Sequence, residues 1–175
     1  MLYKETPNPM LHTFSEVVLS EPRNKNNPLL KKYREMDNSV VTFCMDWLIP
    51  GKPLNAPQES PQAIDVFRLI RNSGGIPALA HPAVTLTEAD DYIIDDLIKH
   101  GLIGLEVYTS WHNEENERHY EIYAQDKELV LTCGSDFHGA LKPYAKLGEI
   151  KNNSYEVVEK LKKSNLTTNR HSSCK

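Results

Sequence analysis

The chain has 175 residues, of which 39% are hydrophobic, enough for one domain with a core of its own though on the low side of globular usage. A formal charge of −4 and a pI near 6.0 leave no basic surface for extended nucleic acid, while a short nucleotide in a cleft stays open. Cys44, Cys133 and Cys174 are an odd count at unrelated spacings, which fits a reducing compartment better than a disulfide framework. No apolar run reaches membrane-spanning length and MLYKETPNPM lacks a signal-peptide core, so the expectation is a soluble, cytoplasmic protein with no membrane partner.

From Met1 to about Asn38 the composition gives little order. Only Phe14 to Leu19 reads as an element, with Val17-Val18-Leu19 a strand or half-turn of helix, and Leu29 to Met36 reads as a short helix. His12 stands alone here and reads as a solvent residue. Val40 to Ile49 is either a strand or a short buried helix, since periodicity cannot decide at that length. After the turn-forming Pro50-Gly51-Lys52-Pro53, Ser60 and Pro61 suggest the start of a helix carrying Ile64, Phe67 and Ile70 on one side, and Gly74-Gly75 ends it.

The pattern then becomes regular. A short apolar strand, Ile76 to Ala80, runs into His81-Pro82; Thr87 caps a helix with Ile93, Ile94, Leu97 and Ile98 inward; Gly101 stops it. The unit repeats with a strand from Leu102 to Tyr108, an acid-started helix from Asn113 to about Asp126 with Tyr120 and Tyr123 inward, and a third strand from Leu129 to Cys133. Strands about 26 residues apart, apolar rather than alternating, predict a parallel α/β sheet or barrel covered on both faces. A last helix is expected over Asn153 to Lys163, with an Asn153–Glu156 capping box, before a disordered tail over 164–175.

The chemistry-bearing residues fall at one edge of such a sheet. His81 follows the first strand, Glu106 lies near the end of the second with His112 in the loop beyond, and Asp136 and His138 follow the third. Loops at the carboxyl ends of parallel strands are where catalytic and ligand groups converge. Asp136 and His138, two apart on extended backbone, would point the same way and reach one cation or two adjacent ones. Carboxylate plus imidazole suits Mn, Fe or Zn and, with no thiolate nearby beyond Cys133, not a closed structural zinc site. Lys142 is a candidate to neutralise a substrate phosphate, against the plain reading of an exposed lysine. His100 reads as a dipole contact at a helix end and His119 as a surface residue or one that orients a neighbour; nothing assigns His171.

The runs GGIPALAHP (Gly74 to Pro82), GLEVYTSWH (Gly104 to His112) and GSDFHG with LKPYAKLGE (Gly134 to Glu149), together with the upstream WLIPGKPLNAP, resemble in order the motifs of the polymerase and histidinol phosphatase (PHP) superfamily, in its stand-alone phosphoesterase branch. The resemblance covers roughly Val40 to Ile150. It implies part of a distorted (β/α)7, TIM-like barrel over residues 39–163, with residues 1–38 a poorly ordered or partial N-terminal segment. It further implies hydrolysis of phosphate esters, such as nucleotides or short oligonucleotides, with two or three Mn, Fe or Zn ions in a complete site. Carried over by position, His81, His112, Asp136 and His138 would hold the ions, and Glu106, with His81, would take the catalytic role or join the ligands. The pattern is broken at one point: the family's opening HxH motif occurs nowhere in this sequence. That leaves three expectations open: an enzyme completed by a homo-oligomer or a separate N-terminal part, a truncated inactive metal-binding or interaction module, or a binuclear amidohydrolase-like enzyme on a related barrel, which would want a metal-bridging lysine after a strand.

Overall fold

A computed structural model of the chain describes residues 10–56, 59–139, 142 and 144–172, with the backbone alone for 165–172. Residues 1–9, Pro57, the Leu141 and Pro143 of the last motif, and Cys174 lie outside the described residues. The chain divides into two compact units, Met1–Glu59 with His138–Tyr144, and Ser60–Phe137 with Ala145–Lys175.

The first unit is helical. It holds α1 (Leu11–Ser20), a 3-10 turn (Pro22–Asn24), α2 (Pro28–Arg34) and α3 (Ser39–Trp47). Thus Val17-Val18-Leu19 is helix rather than strand, and the ambiguous Val40 to Ile49 run is mostly α3. Asn27 starts α2 by accepting the Leu29 N–H at 3.0 Å, with Pro28 in the first position, where a missing N–H costs nothing. Leu30, Tyr33 and Phe43 form a small buried core, with Val18, Leu19, Trp47 and Leu48 packed around it. The Tyr33 hydroxyl donates to Asp46 Oδ2 and accepts the Trp47 indole N–H, both at 2.7 Å, so α2 and α3 share a polar link. Arg34 donates to the carbonyls of Leu19, Lys25 and Asn24 and ties α2 back to the end of α1. Order in residues 10–38 therefore comes from contacts between short helices, which no single window of sequence displays.

The second unit carries a three-stranded parallel sheet in the order β1 (Ala78–Leu79), β2 (Gly104–Thr109), β3 (Val130–Gly134). Ala78 pairs with Gly104 and Gly104 with Val130, so the 26-residue repeat is the register of the sheet. The register slips between Glu106 and Tyr108, a bulge at Val107 that sets Thr109 opposite Gly134. The connecting helices are α4 (Ala63–Asn72), α5 (Asp91–Lys99) and α6 (Glu114–Asp126). Phe67, Ile94, Leu102, Leu105, Val107, Tyr120, Tyr123, Ala124 and Leu129 form one buried cluster between sheet and helices. Residues wholly withdrawn from water, such as Ile94 and Leu105, each contribute about 1.5–3 kcal/mol.

Local signals mostly act where the residues stand. Thr87 and Asp90 close a capping box at a 3-10 turn (Glu88–Asp90) leading into α5, Asn113 and Asn116 close another at α6, and Gly101, at φ +102°, ends α5. Two starts differ. Helix α4 begins at Ala63, two residues past Pro61, with Gln62 rather than Ser60 at its cap and no side-chain bond there. The last helix, α7 (Glu156–Ser172), is started by Ser154, whose hydroxyl accepts the Glu156 N–H at 3.2 Å, while Asn153 donates instead to the Gly148 carbonyl. It runs past Lys163, the expected end, because no Pro or Gly interrupts 156–172 and each further helical residue adds a backbone bond. Among the described residues no helix is long and apolar enough to cross a membrane.

Candidate functional site

Among the described residues, two of the four non-glycine residues with positive φ stand at strand ends and are nominated site residues: His81 (φ +28°) just after β1 and Asp136 (φ +49°) just after β3. The other two, Glu128 after α6 and Asn152 in a turn, follow ordinary chain-reversal positions. Left-handed backbone in a residue with a Cβ costs about 1–3 kcal/mol and collects at functional sites. The conformation of Asp136 also corrects the geometry expected of the Asp136–His138 pair. Strand β3 ends at Gly134, so period-two alternation has stopped before Asp136 and does not set where either side chain goes.

Glu106 projects from β2 across the end of the sheet. Its Oε2 accepts the backbone N–H of His81 at 2.7 Å, and its Oε1 lies 2.5 Å from the point where a Cβ on Gly134 would stand. Glycine at 134 is thus the space the carboxylate occupies, and a side chain there would push Glu106 off His81. The bulge serves the same corner: the carbonyl of Val107 accepts the Nδ1–H of His112 at 2.8 Å. That bond fixes the tautomer, leaving Nε2 as the basic nitrogen, which accepts the Ala83 N–H at a long 3.3 Å. His112 stacks on Tyr120 with centroids 5.4 Å apart, and burial, the larger influence, holds its pKa below the ordinary imidazole value.

Two residues that the sequence reading passed over complete the corner. The Trp111 indole donates to Asp136 Oδ2 at 2.5 Å and its ring stands edge-on to His81 with centroids 6.4 Å apart. The Ser110 hydroxyl donates to the Ser135 carbonyl at 2.8 Å, fastening the loop after β2 to the loop after β3. Their only signal in the sequence is position, directly between the end of β2 and His112. Direct contacts thus link Glu106 to His81, His81 to Trp111 and Trp111 to Asp136 at the carboxyl ends of the strands, while His112 is held separately by Val107, Ala83 and Tyr120.

His138 and Lys142 belong to the first unit. Lys142 is buried, 2% exposed, with its Nζ 5.5 Å from the Tyr144 ring centroid, so the plain reading of an exposed lysine does not hold. His119 bridges Asp91 (3.1 Å) and Glu88 (3.6 Å) against the rings of Tyr120 and Tyr123, and His100 bonds the Asp96 carbonyl at the end of α5.

The donor types fit a borderline divalent ion. His112 is held as a neutral imidazole with its tautomer set by a backbone carbonyl, and Glu106 and Asp136 offer hard oxygen. Thr109, at the end of β2, adds a buried hydroxyl with no hydrogen-bond partner, a polar atom the protein leaves unsatisfied at this edge. Among the described residues, no group of three or more His, Cys, Asp or Glu side chains converges as a metal cage.

No family model matches the chain. Over 78 residues, 44% of this chain, it is 35% identical to the phosphoribosyl 1,2-cyclic phosphate 1,2-diphosphodiesterase of Eggerthella lenta, of which it spans 28%. An amidohydrolase from Chromobacterium violaceum, solved with bound sulfate and no metal, superposes with a TM-score of 0.68 at 20% identity over 90% of this chain and 54% of its own. A chain from Bifidobacterium adolescentis, provisionally named a metal-dependent phosphoesterase, superposes with a TM-score of 0.57 at 22% identity, over 91% of this chain and 58% of its own. The protein thus spans little more than half of these solved chains and less than a third of the curated relative. Its ordered motifs resemble those of the PHP superfamily, and the curated match and the two superposed folds agree with that likeness.

Proposed function

We propose that this chain is part of a metal-dependent phosphoesterase that hydrolyses phosphate esters of small molecules, with nucleotides or short oligonucleotides as the substrate class. The observation that carries the reading is Glu106, whose carboxylate reaches over Gly134 to the His81 backbone at the carboxyl ends of parallel strands, the edge that also carries His112 and Asp136. Of the four ligands the motif likeness implies for Mn, Fe or Zn, His81, His112 and Asp136 would serve from the second unit, and His138 is the one that falls in the first. Such an ion, when bound, lowers the pKa of water and neutralises charge on phosphate oxygens. The protein's own groups would do the rest. Val107 keeps His112 in the tautomer whose basic nitrogen is Nε2, which would give up its long bond from the Ala83 N–H to take an ion, Trp111 orients the Asp136 carboxylate, and Glu106 serves as ligand or as the base that takes a proton from the attacking water. Remaining strands of a (β/α)7 barrel would come from a second copy or from an N-terminal part bearing the HxH pair.

The test is metal content per chain by elemental analysis after purification without chelator, beside Asp136→Asn, followed by release of phosphate from nucleoside monophosphates. Two or more Mn, Fe or Zn per chain, reduced in the variant, with activity that chelator abolishes, is expected. Below about half an equivalent in both proteins, with no turnover, the inactive-module reading replaces this one.

A further inference from the structure

His12 and His138 are 126 positions apart in the sequence, yet both belong to the first unit, with ring centroids 6.0 Å apart and planes inclined at 61°. Each is held by its backbone. His12 lies in the first turn of α1, where the Thr13 and Phe14 N–H groups bond the Met10 carbonyl and the Ser15 hydroxyl bonds the Leu11 carbonyl. His138 precedes Gly139 at φ +60°, and the turn closes through Lys142 N–H to the Gly139 carbonyl at 3.3 Å. A Cβ at Gly139 would meet nothing within 4 Å, so this glycine answers to its left-handed backbone alone.

We propose that His12 and His138 form a two-histidine clamp for a divalent transition-metal ion, making His12 a ligand drawn from the helical unit. The dimension fits. With metal–nitrogen bonds of about 2.1 Å, two imidazoles on one ion hold their centroids roughly 5–6 Å apart, and the observed 6.0 Å lies at the upper end of that range. His12 is half-buried and His138 exposed, so closing the last few tenths of an ångström asks only for side-chain rotation, and the other coordination positions stay open to water or a phosphate oxygen. Two borderline nitrogen donors favour Fe or Zn, or Co as a probe, over Mg or Ca. This clamp rests on the metal-dependent reading above for the expectation of a divalent ion, and it lies wholly within the first unit.

The experiment is a titration of the full chain with Co2+ as probe, followed by visible absorption and calorimetry, for the parent, His12→Ala, His138→Ala and the double variant. Each single change is expected to weaken one Co2+ equivalent by at least about tenfold and alter its absorption band, and the double variant to bind no more weakly than either single one, since the two rings act together. His12→Gln, which keeps α1 polar at that position, is expected to behave as His12→Ala with an unchanged far-ultraviolet circular dichroism spectrum. An unchanged spectrum and affinity in both His12 variants, or effects that simply add, would overturn the clamp. Absence of phosphate release by the parent protein with the coupling intact would count against the phosphoesterase reading and leave the clamp standing.

Discussion

The two units reach order by different means. In the second, strands and helices repeat at a fixed interval and enclose one apolar cluster, with Ile94, Leu105, Val107 and Ala124 wholly buried. In the first, three helices of seven to ten residues share a core of three buried side chains, and a tyrosine hydroxyl, an indole and an arginine carry much of the linkage. Helices that short are marginal alone, so each depends on its neighbours, whereas the sheet distributes its support over paired strands. The lesson is that the strained residues His81 and Asp136 sit on the better-supported frame, which can hold them.

Each unit contains one tryptophan, Trp47 in the first and Trp111 in the second, so Trp111→Phe and Trp47→Phe backgrounds report on them separately. The largest effect is expected from Leu105→Ala, which opens a cavity in the main cluster. The Trp111-reported transition should lose about 2–5 kcal/mol in denaturant titrations, with a much smaller change at Trp47. Equal shifts of both signals would erase the distinction between the units. Next comes Tyr33→Phe, which leaves the Trp47 indole and Asp46 without their shared partner. Here about 1–2 kcal/mol should be lost at Trp47, and no loss would mean that the polar link contributes nothing to the first unit. The smallest concerns acid. The Tyr33 hydroxyl, and secondarily Lys32, hold the Asp46 carboxyl below its ordinary range. A carboxylate depressed in the folded state stabilises above its unfolded value, near about 3.9, and that stabilisation disappears as pH falls through the lower folded value. Asp46→Asn should therefore flatten the acid limb of the Trp47-reported stability slightly, because the group is half exposed. An unchanged acid limb would break this assignment.

Much of the second unit was legible beforehand because its signals are local. Glycines at 74 and 101, caps at Thr87 and Asn113, and apolar runs 26 residues apart carry the strand order and the register. The edge on which His81, Glu106, His112 and Asp136 lie follows from strand direction alone. What was not legible depends on side chains meeting across the fold. Trp111 is an ordinary aromatic until Asp136 accepts its N–H, and Gly134 is an ordinary loop glycine until Glu106 lies over it. Lys142 reads as exposed because most lysines are, yet it is buried against Tyr144.

The sequence by itself determined the parallel α/β repeat, its superfamily likeness and the strand ends at which the polar residues gather, since periodicity, caps and turn residues act within a few positions of one another. Tertiary structure alone decided that residues 10–47 build a helical unit, that a bulge at Val107 turns a carbonyl to His112, that Asp136 leaves the extended conformation, and that His12 meets His138. The helical unit, the register slip of β2 on β3 and the meeting of His12 with His138 each join segments apart along the chain, and their free energy exists only once both segments are in place.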